Sequence, residues 1–139
     1  TAISMKNGVD LLEKVLGDDF KKHVNLADKR PDMIAKAVKT YAKDCIGENA
    51  ILIFDNTWTL NCKNGFVLTN KNIYIGSGGK LKQSIPLADI KFIDATVKFT
   101  SNKLTINATE VETEQILKGT IALYNLLQNI IPLAMKVEN

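Results

Sequence analysis

The sequence predicts an α+β fold, in which a helical segment precedes seven short antiparallel strands that are closed by one amphipathic helix. Three observations carry this. Apolar residues recur at helical spacing up to Gly47, the period falls to two between Glu48 and Ala108, and helical spacing returns from Thr109 to Ile131. With 139 residues, 45% apolar and 24% charged, the chain is sized and composed for one globular domain or one domain with an appendage. The expected divisions are a helical segment over 1–47, a strand-rich domain with its helix over 48–132, and a tail over 133–139.

In the first segment Val9, Leu12, Val15 and Leu16 share a helical face, Gly17 can close that helix, and Asp18 can cap the next one. A short second helix is expected near 19–28, with Phe20, Val24 and Ala27 on one side. From Pro31, the pairs Met33/Ile34, Ala37/Val38, Tyr41/Ala42 and Cys45/Ile46 repeat every fourth residue until Gly47, which predicts one long amphipathic helix. Lys36, Lys39 and Lys43 lie on its other side, as a solvated face or a contact for an acidic partner.

Residues 50–55 (AILIFD) are apolar on both faces, which suits a central strand. Residues 57–62 alternate Trp58, Leu60 and Cys62 and are expected to form a second strand with those side chains inward. Lys63-Asn64-Gly65 reads as a tight turn. Strands then follow at Phe66–Thr69, Ile73–Gly76 and Leu81–Ile85, at Ile93 to Phe99, whose odd positions alternate with Asp94, Thr96 and Lys98, and at Leu104 to Ala108. Thr109 and Glu112 have the spacing of a capping box for the last helix, whose face of Ile116, Ile121, Leu123, Leu127 and Ile131 is ended by Pro132.

No apolar run approaches the roughly 20 residues of a membrane-spanning helix, and the first ten residues lack the order of a signal peptide, so a cytoplasmic location is expected. The charge is uneven: residues 1–48 carry nine bases and eight acids, 49–109 seven and three, and 110–139 two and four. All bases but Arg30 are lysines, which attract anions generally but do not supply bidentate phosphate recognition, so specific nucleic-acid readout is not expected. Cys45 and Cys62 read as buried thiols, His23 as a lone structural imidazole, and Gly76-Ser-Gly-Gly-Lys80 as a connecting turn, because the helix and the Gly-Lys-Ser/Thr ending of a phosphate loop are missing. Asp89 suits a turn and Trp58 the core. Asn107-Ala108-Thr109 is a glycosylation sequon, relevant only in a glycosylating compartment. No catalytic constellation, cofactor motif or metal-ligand set emerges, so no enzyme activity and no cofactor are expected.

Two motifs carry a family resemblance. The run from Gly65 to Ile75, GFVLTNKNIYI, resembles the hairpin of bacterial pleckstrin-homology-like (PH-like) and GRAM-type domains, and Ser84 to Ile90, SIPLADI, resembles the step that follows it there. The resemblance spans about residues 48 to 131. It implies a partly open seven-stranded barrel plugged by the C-terminal helix, and a binding module, since PH-like barrels can take peptides along an exposed strand edge or in the gap near that helix. The chain departs from phosphoinositide-binding relatives, because its first strand has no base and Asn56-Thr57 leaves almost no loop. An anion or lipid site would have to come from Lys63, Lys71, Lys80 and Lys82 as a diffuse patch. The expected function is therefore non-catalytic protein–protein interaction or self-association, with peripheral binding to anionic membrane as the alternative.

Overall fold

The computed structural model describes residues 18–138. The helix expected from Val9 to Leu16 lies outside the described residues. The elements are α1 (Asp18–His23), β1 (Val24–Leu26), α2 (Pro31–Val38), β2 (Ala50–Asp55), β3 (Gly65–Thr69), β4 (Asn72–Ser77), β5 (Lys80–Pro86), β6 (Ile93–Lys98), β7 (Ser101–Ile106), β8 (Thr109–Glu112) and α3 (Thr120–Ala134). Short 3-10 turns stand at Lys43–Cys45, Leu87–Asp89 and Glu114–Gly119. The fold is α+β, with one sheet in the order β1-β2-β3-β4-β5 and a second in the order β6-β7-β8, all antiparallel. No ladder joins the two sheets among the described residues, so the strands do not close into a barrel.

The central strands are apolar on both faces and the protein covers both. On one side Leu52, Phe54, Phe66, Leu68, Ile73 and Ile75 meet Leu104 and Ile106 of the second sheet and Leu123, Leu127 and Ile130 of α3. Phe54 and Phe66 pair across β2 and β3 with tilted rings 5.6 Å apart. On the other side Ile53, Val67 and Tyr74 are covered by Met33, Ala37, Tyr41, Ala42 and Cys45. Tyr41 lies so close on Gly76 that a Cβ there would come within 2.2 Å of its ring, which requires glycine at that position. Residues 18–45 thus contribute a strand to the five-stranded sheet and side chains to both cores.

Several sequence expectations are corrected. The second helix stops at His23, and Val24–Leu26 pair with Phe54, Ile53 and Leu52, because β2 is buried and its outer polar groups need a ladder partner. The helix from Pro31 ends at Val38, where the Thr40 hydroxyl bonds back to Ala37 O at 3.2 Å and Ala42 N–H donates to Ala37 O at 2.9 Å. Tyr41, Ala42 and Cys45 keep the expected burial without the helix.

Residues 57–62 form a loop rather than a strand. Asn61 N–H donates to the Thr57 hydroxyl at 3.1 Å, Leu60 and Cys62 have φ of 57° and 59°, and Trp58 is 74% exposed, not inward. Thr109–Glu112 is a strand instead of a helix cap, with Val111 buried between exposed Glu110 and Glu112, so the described residues hold eight strands and not seven. Pro132 sits inside the last turn of α3, which runs on to Ala134. Two side chains tie down the residues beyond it: Asn70 Nδ2 donates to Val137 O at 2.9 Å and Asn49 Nδ2 to Glu138 O at 3.4 Å.

The different fates of two large side chains give a direct check. Leu123→Ala, which opens a cavity in the core, will lower unfolding free energy in urea titration by about 2–5 kcal/mol. Trp58→Ala will change it by no more than about 0.5 kcal/mol. Equal losses for the two would contradict this packing.

Candidate functional site

Sheet edges are where a β-rich protein can bind another chain. β1 is three residues long and β8 four, with Glu110 and Glu112 exposed on the latter. β5 carries Lys80 and Lys82 and ends in Pro86. Each of these is short or charged. β6 carries Asp94 and Lys98 and has α3 packed against it, yet it is six residues long and has no ladder partner beyond β7 among the described residues.

The register shows which backbone groups are offered there. Asn107 N–H donates to Phe92 O at 2.7 Å, which makes Phe92/Asn107 a hydrogen-bonded pair. In an antiparallel ladder such pairs alternate, so Asp94/Thr105, Thr96/Lys103 and Lys98/Ser101 follow it. The N–H and C=O groups of Ile93, Ala95 and Val97 therefore face the open edge. The Ala95 N–H is met by the neighbouring Asp94 carboxylate at 2.9 Å, a local contact that an incoming strand can displace.

Beside that edge runs a groove of about 290 Å³, walled by Ile90, Phe92 and Ile93 on one side and Leu127, Ile131 and Pro132 of α3 on the other. Lys91 and Gln128 complete the lining, so apolar walls and polar surface share the groove. Phe92 and Val97 are about half exposed, and Phe99, at the tip of the β6–β7 hairpin, is fully exposed. The mouth of the groove is fixed by Asn107, whose side-chain oxygen accepts the N–H groups of Lys91 at 2.9 Å and Phe92 at 3.2 Å while its Nδ2 donates to Asp89 O at 3.0 Å. Asn107 holds a φ of 54°, which Asn tolerates better than most residues. As a sequon it suggested only glycosylation; its structural work was not legible in the sequence.

The lysines named from sequence do not converge. Lys63 and Lys80 share one end of the five-stranded sheet, where Gly79 N–H donates to Lys63 O at 2.9 Å. Lys71 lies in the β3–β4 turn at the opposite end, about 16 Å away along a five-residue strand. Lys82 donates to Glu110 O at 2.8 Å. Lys36 donates to Leu60 O at 3.2 Å, Lys39 caps α2, and Lys43 sits in the following 3-10 turn, so these three do not share one helical face.

A second, polar cleft of about 480 Å³ opens between the Asn64/Gly78 turns and β8, lined by Asn56, Ser77, Lys82, Glu110 and Glu112. Glu110 forms an ion pair with Lys103, whose hydrogen bond and charge hold its carboxyl below the usual range. Such a carboxylate stays ionised at neutral pH and is poorly suited to proton transfer. The remaining ionisable cluster is internal. The Asp55 carboxylate accepts the Thr57 hydroxyl at 2.8 Å and the Cys62 thiol at 3.8 Å, and His23 Nδ1–H donates to Asp55 O at 2.7 Å. Burial raises Asp55 and, with the nearby Asp55 charge, pushes Cys62 up to about 12. Among the described residues no group of three His, Cys, Asp or Glu is placed to hold a metal ion.

Comparison with known proteins finds no matching family model, no matching curated protein and no matching solved structure.

The internal placement of Cys62 and Cys45, both buried and both raised, predicts silence toward a thiol reagent at pH 8 in the folded protein and full reaction after denaturation. Rapid labelling of the native protein by Ellman's reagent would contradict it.

Proposed function

We propose that this chain is a non-catalytic, bacterial PH-like binding module of the cytoplasm whose ligand is protein. It takes an extended polypeptide onto the outer edge of β6, with alternate side chains of the ligand entering the groove between β6 and α3. The observation that carries this reading is the six-residue edge of β6, without a ladder partner, lying beside a groove walled by Phe92, Ile93, Leu127 and Ile131. Backbone hydrogen bonds would supply register-independent affinity, and the groove would select side chains at every second position. The seven strands from Ala50 to Glu112 followed by α3 keep the order four, then three, then helix that the resemblance to PH-like domains implies.

Anionic membrane binding has less support, because Lys71 lies at the opposite end of the sheet from Lys63, Lys80 and Lys82, and Lys82 is engaged with Glu110 O. A shared, dense patch is what such binding draws on.

Selection of a displayed random-peptide library on the immobilised protein tests the proposal. Enriched peptides will alternate apolar residues and will perturb the amides of Ile93, Ala95 and Val97 and the side chains of Leu127 and Ile131. Ala95→Pro removes an outward N–H without touching the β6–β7 ladder, so it will abolish peptide capture and leave the melting temperature nearly unchanged. Peptides that map elsewhere would overturn the proposal, as would retention on phosphatidylserine vesicles, lost at high salt, in place of peptide capture.

A further inference from the structure

We infer that the strand added to β6 is the β6 of a second copy of this chain, forming a two-fold symmetric dimer. This rests on the strand-addition reading above and names the partner. A two-fold axis at Thr96 sets Ala95 against the partner's Val97, and the reverse. These are the residues whose N–H and C=O groups face outward, so the two edges exchange hydrogen bonds without any change in the β6–β7 ladder.

The charges select this register. With the axis at Thr96, Asp94 stands directly opposite the partner's Lys98, twice by symmetry and at the close, non-hydrogen-bonded positions where side chains approach most nearly. Moving the axis to Ala95 sets Asp94 against Thr96, and moving it to Asp94 sets two like carboxylates face to face. Moving it to Val97 sets Lys98 against Thr96, and moving it to Lys98 sets two lysines face to face. Only the Thr96 axis pairs opposite charges directly. Asp94, which meets the Ala95 N–H at 2.9 Å in the single chain, is exchanged for the partner's Val97 carbonyl and freed for Lys98.

The same register accounts for the fully exposed Phe99. It comes level with the partner's Ile93, a residue that lines the groove against Leu127 and Ile131. The groove volume, about 290 Å³, accommodates a phenyl side chain. Each copy thereby supplies one exposed aromatic ring and one groove with apolar walls, a self-complementary arrangement.

Sedimentation velocity from about 5 to about 500 µM, a range that brackets a small interface, tests the inference. The intact protein will pass from monomer to dimer. Asp94→Lys and Lys98→Asp will each remain monomeric, and the double variant, with the charges exchanged, will dimerise again. Phe99→Ser will be monomeric at unchanged melting temperature, since its side chain touches no core. A protein monomeric throughout, or a dimer indifferent to the charge reversals, would overturn the inference. A monomer that still captures library peptides at β6 loses self-pairing alone, whereas a monomer that captures none loses the binding-module reading as well.

Discussion

The apolar character of β2, β3 and β4 on both faces is the constraint around which the rest of the chain is arranged. A strand with one polar face can leave that face in water, but Leu52/Phe54 and Ile53, or Phe66/Leu68 and Val67, require cover on opposite sides. One side receives the second sheet and α3. The other receives α2 and the Tyr41–Cys45 segment, which is why a region with helical spacing belongs to the same body as the sheet. The edge of β2 imposes the further demand that produces β1, where a pattern suited to a helix yields to the need of buried backbone groups for partners.

Once those demands are met, the edges remain. β1 and β8 are short, and β5 is guarded by lysines and a proline, devices that deter unwanted pairing. β6 also carries charges, Asp94 over the Ala95 N–H and Lys98 at its end, but it is six residues long and is bordered by the groove against α3. The helix that seals the core also forms one wall of that groove, since Leu127 and Ile131 face both the interior and the lining. The core and the groove are thus built from the same element.

Most of the fold was legible from period alone. The strands at 50–55, 65–69, 72–77, 80–86 and 93–98 stand within a residue or two of their expected places, because their alternation reports burial directly, whereas the strand expected from Leu104 to Ala108 begins at Ser101 and ends at Ile106. The failures have local causes. The 57–62 run alternates like a strand, yet Thr57, Asn61 and Asp55 satisfy one another and the positive φ at Leu60 and Cys62 turns the chain. Thr109 to Glu112 matches a capping box and a strand equally well, and only pairing with β7 decides between them. The groove was foreseen in kind, as a strand edge or a gap near the last helix, but not in place. Val97 and Phe99 continue the alternation of Ile93 and Ala95, and nothing in their spacing shows that the core ends before them. The candidate lysines were legible as charges but not as positions, since sequence distance conceals that Lys71 and Lys80 belong to opposite ends of one sheet.

The central claim is that the outer edge of β6 is unpaired in the single chain. Amide hydrogen exchange, resolved residue by residue in dilute protein, measures this most directly. The account predicts rapid exchange at Ile93, Ala95 and Val97 and slow exchange at Asp94, Thr96 and Lys98, whose N–H groups are bonded to β7. Uniform protection along β6 in the dilute monomer would show that the edge is already covered and would contradict the account.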